Sequence, residues 1–437
     1  MSGAFIGLMG FAGLFGMMAM GVPVGLALLV AGIAGTIAMT GWSAAAYTLS
    51  GQAFATASYY ELSVLPLFIL MGNLASASGL SRDLYEVAHR WIGHLRGGLA
   101  GATVLGCAGF AALSGSSIAS AVTMGRVAYP NMRRFGYGER LSTGTIAAGG
   151  TLGILIPPST GFVLYATLTE QSIGRLFIAG ILPGLMLTGL FLVAIAVIVT
   201  LRPAEGPATP PSGWAERWRA TRRAAGITTI VLLTIGGIYG GIFTPVEAAG
   251  VGAGFAFLML VLRRRMTGAV ISHVIRDTLR TTGMCFLILI GASVFAPFIA
   301  LSGLPAVVAG RFDALPLGPT GTLMLIILAY AVLGMVIEGL SLMVITLPIV
   351  YPLVLGLGYD PIWFGVIMVI VLEMGLISPP VGVNCFVVST IARDVRLETV
   401  FAGVMPFWLA MIVAVLLLIA FPQIATLLPD TMFNAAH

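Results

Sequence analysis

Four short stretches concentrate the polar chemistry of this chain: Ser114-Gly115-Ser116-Ser117, Ile156-Pro157-Pro158-Ser159, Glu338-Gly339-Leu340-Ser341 and the run from Ser378-Pro379-Pro380 through Gly382 to Asn384. Each interrupts an otherwise apolar segment. A proline removes a backbone donor and frees a carbonyl one turn back. Paired prolines therefore leave carbonyl oxygens able to coordinate a cation. The half-helix starting after such a break offers free amides and the positive end of its dipole, which suit a carboxylate. Nearby Ser, Thr and Asn side chains complete an oxygen-rich set. Other chemistry is missing. Cys107, Cys285 and Cys385 stand isolated in apolar runs and read as small core residues. No metal-ligand cluster, nucleophile–base pair or Walker loop occurs, so neither enzymatic catalysis nor ATP use by this chain is expected.

The elements that must hold these stretches are membrane helices. Of 437 residues, 59% are hydrophobic and 8% charged, against about a quarter charged in a soluble domain. Apolar runs of bilayer-crossing length recur throughout. They are read as helices at 4–20, 22–40, 62–77, 98–113, 117–129, 141–155, 161–172 and 176–200, and again at 226–243, 246–262, 281–301, 319–337, 341–355, 362–377, 382–392 and 400–421. The Pro- and Arg-rich stretch 201–225 reads as a cytoplasmic linker, and 422–437 as a C-terminal tail. All 21 basic residues are arginines in short stretches between apolar runs. A contiguous basic face with interleaved aromatics is lacking, which excludes nucleic-acid binding.

The two sets of helices are one unit repeated. Tyr129-Pro130 matches Tyr351-Pro352 at a shift of 222 (351 − 129), and Gly136-Tyr137, Gly153, Pro157-Pro158 and the Val22-Pro23-Val24 region find partners at the same shift. Arginines orient the halves. Loop 126–140 carries Arg126, Arg133, Arg134 and Arg140, whereas its equivalent 348–362 carries none, so matching loops lie on opposite sides. One consistent trace puts both termini outside the cytoplasm. It also makes 97–129 a re-entrant hairpin turning at Ser114–Ser117, and 319–355 a second hairpin entering from the other face with its tip at Glu338–Ser341. The expected fold is thus an all-α polytopic membrane protein, a transporter of two inverted repeats with two re-entrant hairpins, two Pro-broken helices and about 10 full crossings. Its first repeat is 1–200, with hairpin 97–129 and broken helix 141–172. Its second is 226–421, with hairpin 319–355 and broken helix 362–392. Of the acids in or beside these segments, Glu338 reads equally as a ligand and as a tip cap. Glu373 reads as a structurally paired group and Glu247 as a helix-start charge. His89 and His94 read as solvated or interfacial. The basic stretches 78–97 and 263–280 read as interfacial arms in contact with membrane lipid.

The run SGSSIASAVTMGRVAYPNMRRFGYGERLSTGTIAAGGTLGILIPPS, with GMVIEGLSLMVITLPIVYPLVLGLGYDPIWFGVIMVIVLEMGLISPPVGVNCFVV, resembles the two signature regions of the large membrane subunit of tripartite ATP-independent periplasmic (TRAP) transporters, and the likeness spans nearly the whole chain. The resemblance implies an elevator-type transporter of the bacterial inner membrane that couples uptake of a small organic acid to Na+, with protons as the other coupling ion to consider. Its implied partners are a small four-helix membrane subunit and a periplasmic binding protein. The absence of a four-helix extension before Met1 is taken to imply a separate small subunit. Carried across by position, one sodium site falls on Ser114, Gly115, Ser117, Ile156 and Pro157, and the second on Glu338, Gly339, Ser378, Pro379 and Gly382. Substrate contacts fall on Ser116, Ser117, Ser159, Glu338, Ser341 and Asn384. The chain departs from the family where Glu338 replaces a common Asp and Ser378 a common Thr. The alternative is a stand-alone ion-coupled dicarboxylate carrier of related architecture.

Overall fold

Paired prolines within apolar sequence set the architecture, because a helix must stop at each pair and restart beyond it. The computed structural model describes residues 2–313 and 316–434, and every regular element among them is helical. The first half runs α1 (Gly3–Ala19), α2 (Val24–Thr40), α3 (Trp42–Ser58), α4 (Val64–Ser78), α5 (Leu80–Ile92), α6 (Gly98–Ser114), α7 (Ser117–Arg134), α8 (Glu139–Leu155), α9 (Thr160–Thr169) and α10 (Ile173–Leu201). Then α11 (Trp214–Val231) continues through a π-helical turn, Leu232–Gly236, to Tyr239. The second half runs α12 (Pro245–Leu262), α13 (Gly268–Ser302), α14 (Leu304–Asp313), α15 (Gly318–Gly334), α16 (Gly339–Gly356), α17 (Pro361–Leu376), α18 (Val383–Ile391), α19 (Leu397–Ala420) and α20 (Gln423–Asn434). Among the described residues, seven helical spans are long and apolar enough to cross a bilayer, one of them the broken span Glu139–Thr169.

The breaks recur in matching places. Pro157-Pro158 separates α8 from α9 and Pro379-Pro380 separates α17 from α18, and both Pro-Pro bonds are cis. The segments before the breaks form the centre of the molecule: residues 141–155 of α8 and 362–376 of α17 are buried without interruption. Around them the outer helices approach through glycine. A Cβ on Gly291 of α13 would lie 2.3 Å from the Gly25 carbonyl of α2, and one on Gly144 of α8 would lie 2.2 Å from that of Gly403 in α19. Small residues let membrane helices pack backbone to backbone in this way.

Several segments differ from the sequence reading, among them α5 and α14, which fall between the expected helices. Helix α3 falls outside the helices expected from hydropathy because Ser43, Thr48, Ser50, Gln52 and Thr56 dilute its hydrophobicity. Its polar groups turn inward along the helix: the Thr48 and Ser50 hydroxyls donate to the Ala44 and Ala46 carbonyls at 2.9 and 3.0 Å, while alanines supply propensity. Helix α11 covers the second part of the 201–225 linker. It starts once the prolines at 207, 210 and 211 are passed, and α5 anchors it. The Trp91 indole donates to Thr221, Arg217 stacks over Trp91 and Trp214, and Arg90 bridges Glu86 and Glu216 at 2.8 and 3.0 Å. Residues 268–280 of the basic arm and the run 281–301 form one helix, α13, capped by Thr267 and uninterrupted by proline until Pro297. Finally, much of the expected tail is helix α20; residues 435–437 of that tail lie outside the described residues.

The two halves also clasp each other reciprocally. The Tyr129 hydroxyl of α7 donates to Asp394, just beyond α18, at 3.0 Å. At the position 222 residues on, Tyr351 of α16 accepts from the Gln171 amide, just beyond α9, at 2.9 Å. Each half's second tip helix is thereby tied to the end of the other half's broken helix.

Candidate functional site

The first tip is set down directly on the first break. Helix α6 ends at Ser114 because Gly115 takes φ +58°, a left-handed conformation that favours glycine. A side chain there would also collide with the Pro158 carbonyl, 2.8 Å from a built Cβ. Helix α7 restarts with Ser116 as its N-cap, accepting from the Ala119 amide at 3.4 Å. Within the tip the Ser114 and Ser120 hydroxyls lie 2.9 Å apart, and the Gly115 carbonyl accepts from the Thr160 hydroxyl at 2.8 Å. Beneath it, a Cβ on Gly153 of α8 would come within 2.5 Å of the Ser116 carbonyl. At the break, Ile156 is extended and Ser159 caps α9, accepting from the Phe162 amide at 3.1 Å. Ser114, Gly115, Ser116, Ser120, Pro158 and Thr160 are thus brought together as hydroxyls and main-chain oxygens, with Ser117 opening α7 beside them and Ile156 and Pro157 leading into the break.

The second tip is built differently. Glu338 is exposed and caps its own helix, its carboxylate accepting from the Leu340 and Ser341 amides at 3.1 and 2.9 Å and from the Ser341 hydroxyl at 2.8 Å. A carboxylate at a helix N-terminus satisfies free amides and complements the dipole. The cap, one of its two sequence readings, is present in the structure. Gly339 rests against Leu372, and α15 meets α17 so closely that a Cβ on Gly375 would lie 2.3 Å from the Gly334 carbonyl. At the second break the Ser378 hydroxyl donates to the Met374 carbonyl at 2.6 Å, and Gly382 turns the chain at φ +53° into α18. No hydrogen bond among the described residues joins Glu338 or Ser341 to Ser378, Pro379, Gly382 or Asn384. Glu247, as read, is a helix-start charge: it forms a reciprocal capping box with Thr244.

What does come together spans the halves. Asn384, 0% exposed, donates to the Ala147 carbonyl of α8 at 3.4 Å, while its side-chain oxygen has no partner. Its amide nitrogen and the Ser117 carbonyl each lie 3.1 Å from a Cβ built on Gly150. The Ser117 hydroxyl donates to Glu373 of α17 at 2.6 Å, with the two residues 1% and 3% exposed. The sequence reading placed Asn384 with substrate groups but left Glu373, Ser120 and Thr160 out of the site. For Glu373 a signal existed, a lone acid within a 16-residue apolar helix. For Ser120 and Thr160 there was none, since hydroxyls in membrane helices more often back-bond to their own turn. An apolar crevice at the first break, lined in part by Pro157, Pro158, Phe68 and Phe177, offers no comparable oxygen set.

Over residues 11–424 the sequence matches the family described as the tripartite ATP-independent periplasmic transporter, DctM component. It is 37% identical, across 88% of the chain and 89% of the relative, to the C4-dicarboxylate TRAP transporter large permease protein of Pseudomonas aeruginosa. Identity to the ectoine TRAP transporter large permease protein of Halomonas elongata is 32%, across 97% and 99% of the two chains. Among solved structures, the YdaH transporter of Alcanivorax borkumensis shares the fold with a TM-score of 0.64, at 18% identity and over 89% and 90% of the chains.

Proposed function

We propose that this chain, which belongs to the DctM family of tripartite ATP-independent periplasmic transporters, imports a small carboxylate-bearing solute by coupling it to sodium entry. Family membership makes it a large permease subunit, a multi-pass protein of the bacterial inner membrane and not an enzyme. The coupling, the cargo and the moving parts are the proposal. The observation that carries it is the pairing of tip and break: hydroxyls and main-chain carbonyls converge at mid-chain interruptions of the most buried helices. Irregular backbone at membrane depth persists only where protein or a polar cavity covers it.

The residues of the first neighbourhood fit a sodium ion. Ser114 and Ser117 supply hydroxyl oxygens, and Gly115, Ile156 and Pro157 supply carbonyls, an all-oxygen set suited to a hard cation. At the second, Gly339, Ser378, Pro379 and Gly382 would provide the main-chain and hydroxyl oxygens, with Glu338 contributing from the rim through its cap. A bound sodium supplies positive charge for the cargo's carboxylate, and its inward gradient supplies the driving force. For the carboxylate itself, α18 is the better end. Its Gly382 N-cap uses no side chain, so the first amides stay available beside Asn384, whereas Ser159 occupies one at α9. Ser116, Ser117, Ser159 and Ser341 would line the remainder of the path.

The repeat at a shift of 222, the Tyr129–Asp394 and Tyr351–Gln171 clasps and the arginine distribution support two inverted halves whose tips enter from opposite faces. In an elevator arrangement the central helices, tips and breaks move together against the outer helices. The partners would be a small four-helix membrane subunit and a periplasmic binding protein that delivers the solute. The relatives' names cover a C4-dicarboxylate and ectoine, so the cargo class is kept at small carboxylate-bearing solutes.

The test is uptake of succinate and of ectoine as a function of sodium in Ser117→Ala and Asn384→Ala variants. Ser117→Ala is expected to shift sodium dependence, and Asn384→Ala to weaken solute dependence. Unchanged behaviour in both would mean the site lies elsewhere.

A further inference from the structure

We infer that Glu373 is a positioning residue, holding the Ser117 hydroxyl so that its lone pairs face the oxygen set of the first tip. This rests on the sodium reading above and extends it to a residue of the opposite half. A serine hydroxyl has one proton to donate and two lone pairs to offer. In this structure the proton is committed to Glu373 at 2.6 Å, within a buried contact. The lone pairs therefore point away from Glu373. Thr103 and Thr188, within their helices, bond back to the carbonyl four residues earlier at 2.8 and 2.7 Å. Ser117 is the first residue of α7 and has no such turn behind it, so Glu373 is the acceptor that fixes its hydroxyl.

Two further observations separate this role from general packing. Glu373 pairs with no cation: no ion pair among the described residues includes it, so the carboxyl is not present to neutralise an arginine. It is also not a feature of the repeat. The residue 222 positions earlier is Thr151, which bonds back to the Ala148 carbonyl, and Gly339 stands where a second Ser117 would be (117 + 222). The clasps at Tyr129 and Tyr351 come in a matched pair, whereas the Ser117–Glu373 link occurs once. It accompanies only the tip whose hydroxyls face a proline break.

The experiment follows sodium-dependent thermal stabilisation of the purified full chain in nanodiscs, with choline replacing sodium at constant ionic strength. Groups that orient a metal's ligands typically change affinity about 10- to 100-fold when removed. Glu373→Leu should raise the sodium midpoint by that order, and Ser117→Ala likewise. The double variant should go no further than Ser117→Ala alone, because without the hydroxyl there is nothing left to orient. Glu373→Gln, which keeps an acceptor oxygen at the same reach, should stay close to wild type. Should the leucine variant fail to insert, Glu373→Met takes its place in the same cycle. A wild-type midpoint in the Leu or Met variant, or additive shifts in the double variant, would overturn the role of Glu373 alone. A wild-type chain that sodium stabilises no better than choline would remove the sodium reading with it.

Discussion

Replacing Gly153 with alanine tests whether the first tip must lie directly on α8. The new methyl carbon would sit 2.5 Å from the Ser116 carbonyl oxygen and 2.7 Å from the Ser120 hydroxyl. Ordinary contact begins near 3.4 Å, so the tip must lift by about 0.9 Å (3.4 − 2.5). The obstacle is main chain at a helix start and cannot rotate away. Overpacking of this kind costs about 1–3 kcal/mol. A displacement of about 1 Å at a reacting or coordinating centre can cost on the order of 100-fold in rate. The assay pairs initial uptake in proteoliposomes (the proposed small subunit co-reconstituted and loaded binding protein supplied) with the melting temperature of the purified chain. Gly153→Ala should lose most uptake while still inserting. The control, Gly283→Ala on α13, meets nothing within 4 Å and should transport normally. Normal uptake by Gly153→Ala with an unchanged melting temperature would refute the tip-on-helix geometry.

Three other outcomes follow from contacts elsewhere. Gly291→Val would drive a side chain into the Gly25 carbonyl of α2, and should lower the melting temperature far more than Gly250→Val, where the space is open. Asp394→Asn keeps a partner for Tyr129 but weakens the half-exposed Arg133 pair at 2.9 Å; it should cost no more than about 1 kcal/mol, read as a small melting shift. His89, on the amphipathic α5 outside the spans, is held below its ordinary pKa by burial, with Arg90 acting in the same direction and Glu86 against it. The unfolded chain therefore takes up a proton more readily, and stability should be full above about pH 6.5 and fall as pH drops below it. Glu86 and Arg90 being retained, His89→Phe should flatten that part of the stability–pH curve.

Much of the site was legible because proline chemistry is local. Pro157-Pro158 and Pro379-Pro380 end a helix whatever surrounds them, and Gly115 and Gly382 announce turns that only backbone freedom permits. The helices flanking them were read within a few residues for the same reason. What could not be read were relations across the chain. Glu373 is 256 residues from Ser117, and nothing in its neighbourhood names its partner. Helix α3 was missed because its hydroxyls satisfy themselves along the helix, a solution that hydropathy counts as polarity. The linker helix α11 depends on Trp91 and Arg90 of a distant arm. At Glu338 the cap half of the reading was local, since the Leu340 and Ser341 amides that it meets lie two and three residues on.

Solute uptake under an imposed sodium gradient addresses the central claim most directly. The chain would be reconstituted with the proposed small membrane subunit, and the proposed binding protein, loaded with labelled solute, would be supplied outside. Uptake is predicted only when sodium is inward-directed and the binding protein is present, with Ser117→Ala requiring more sodium for the same rate. Uptake that persists without sodium, or that the chain performs alone, would contradict it.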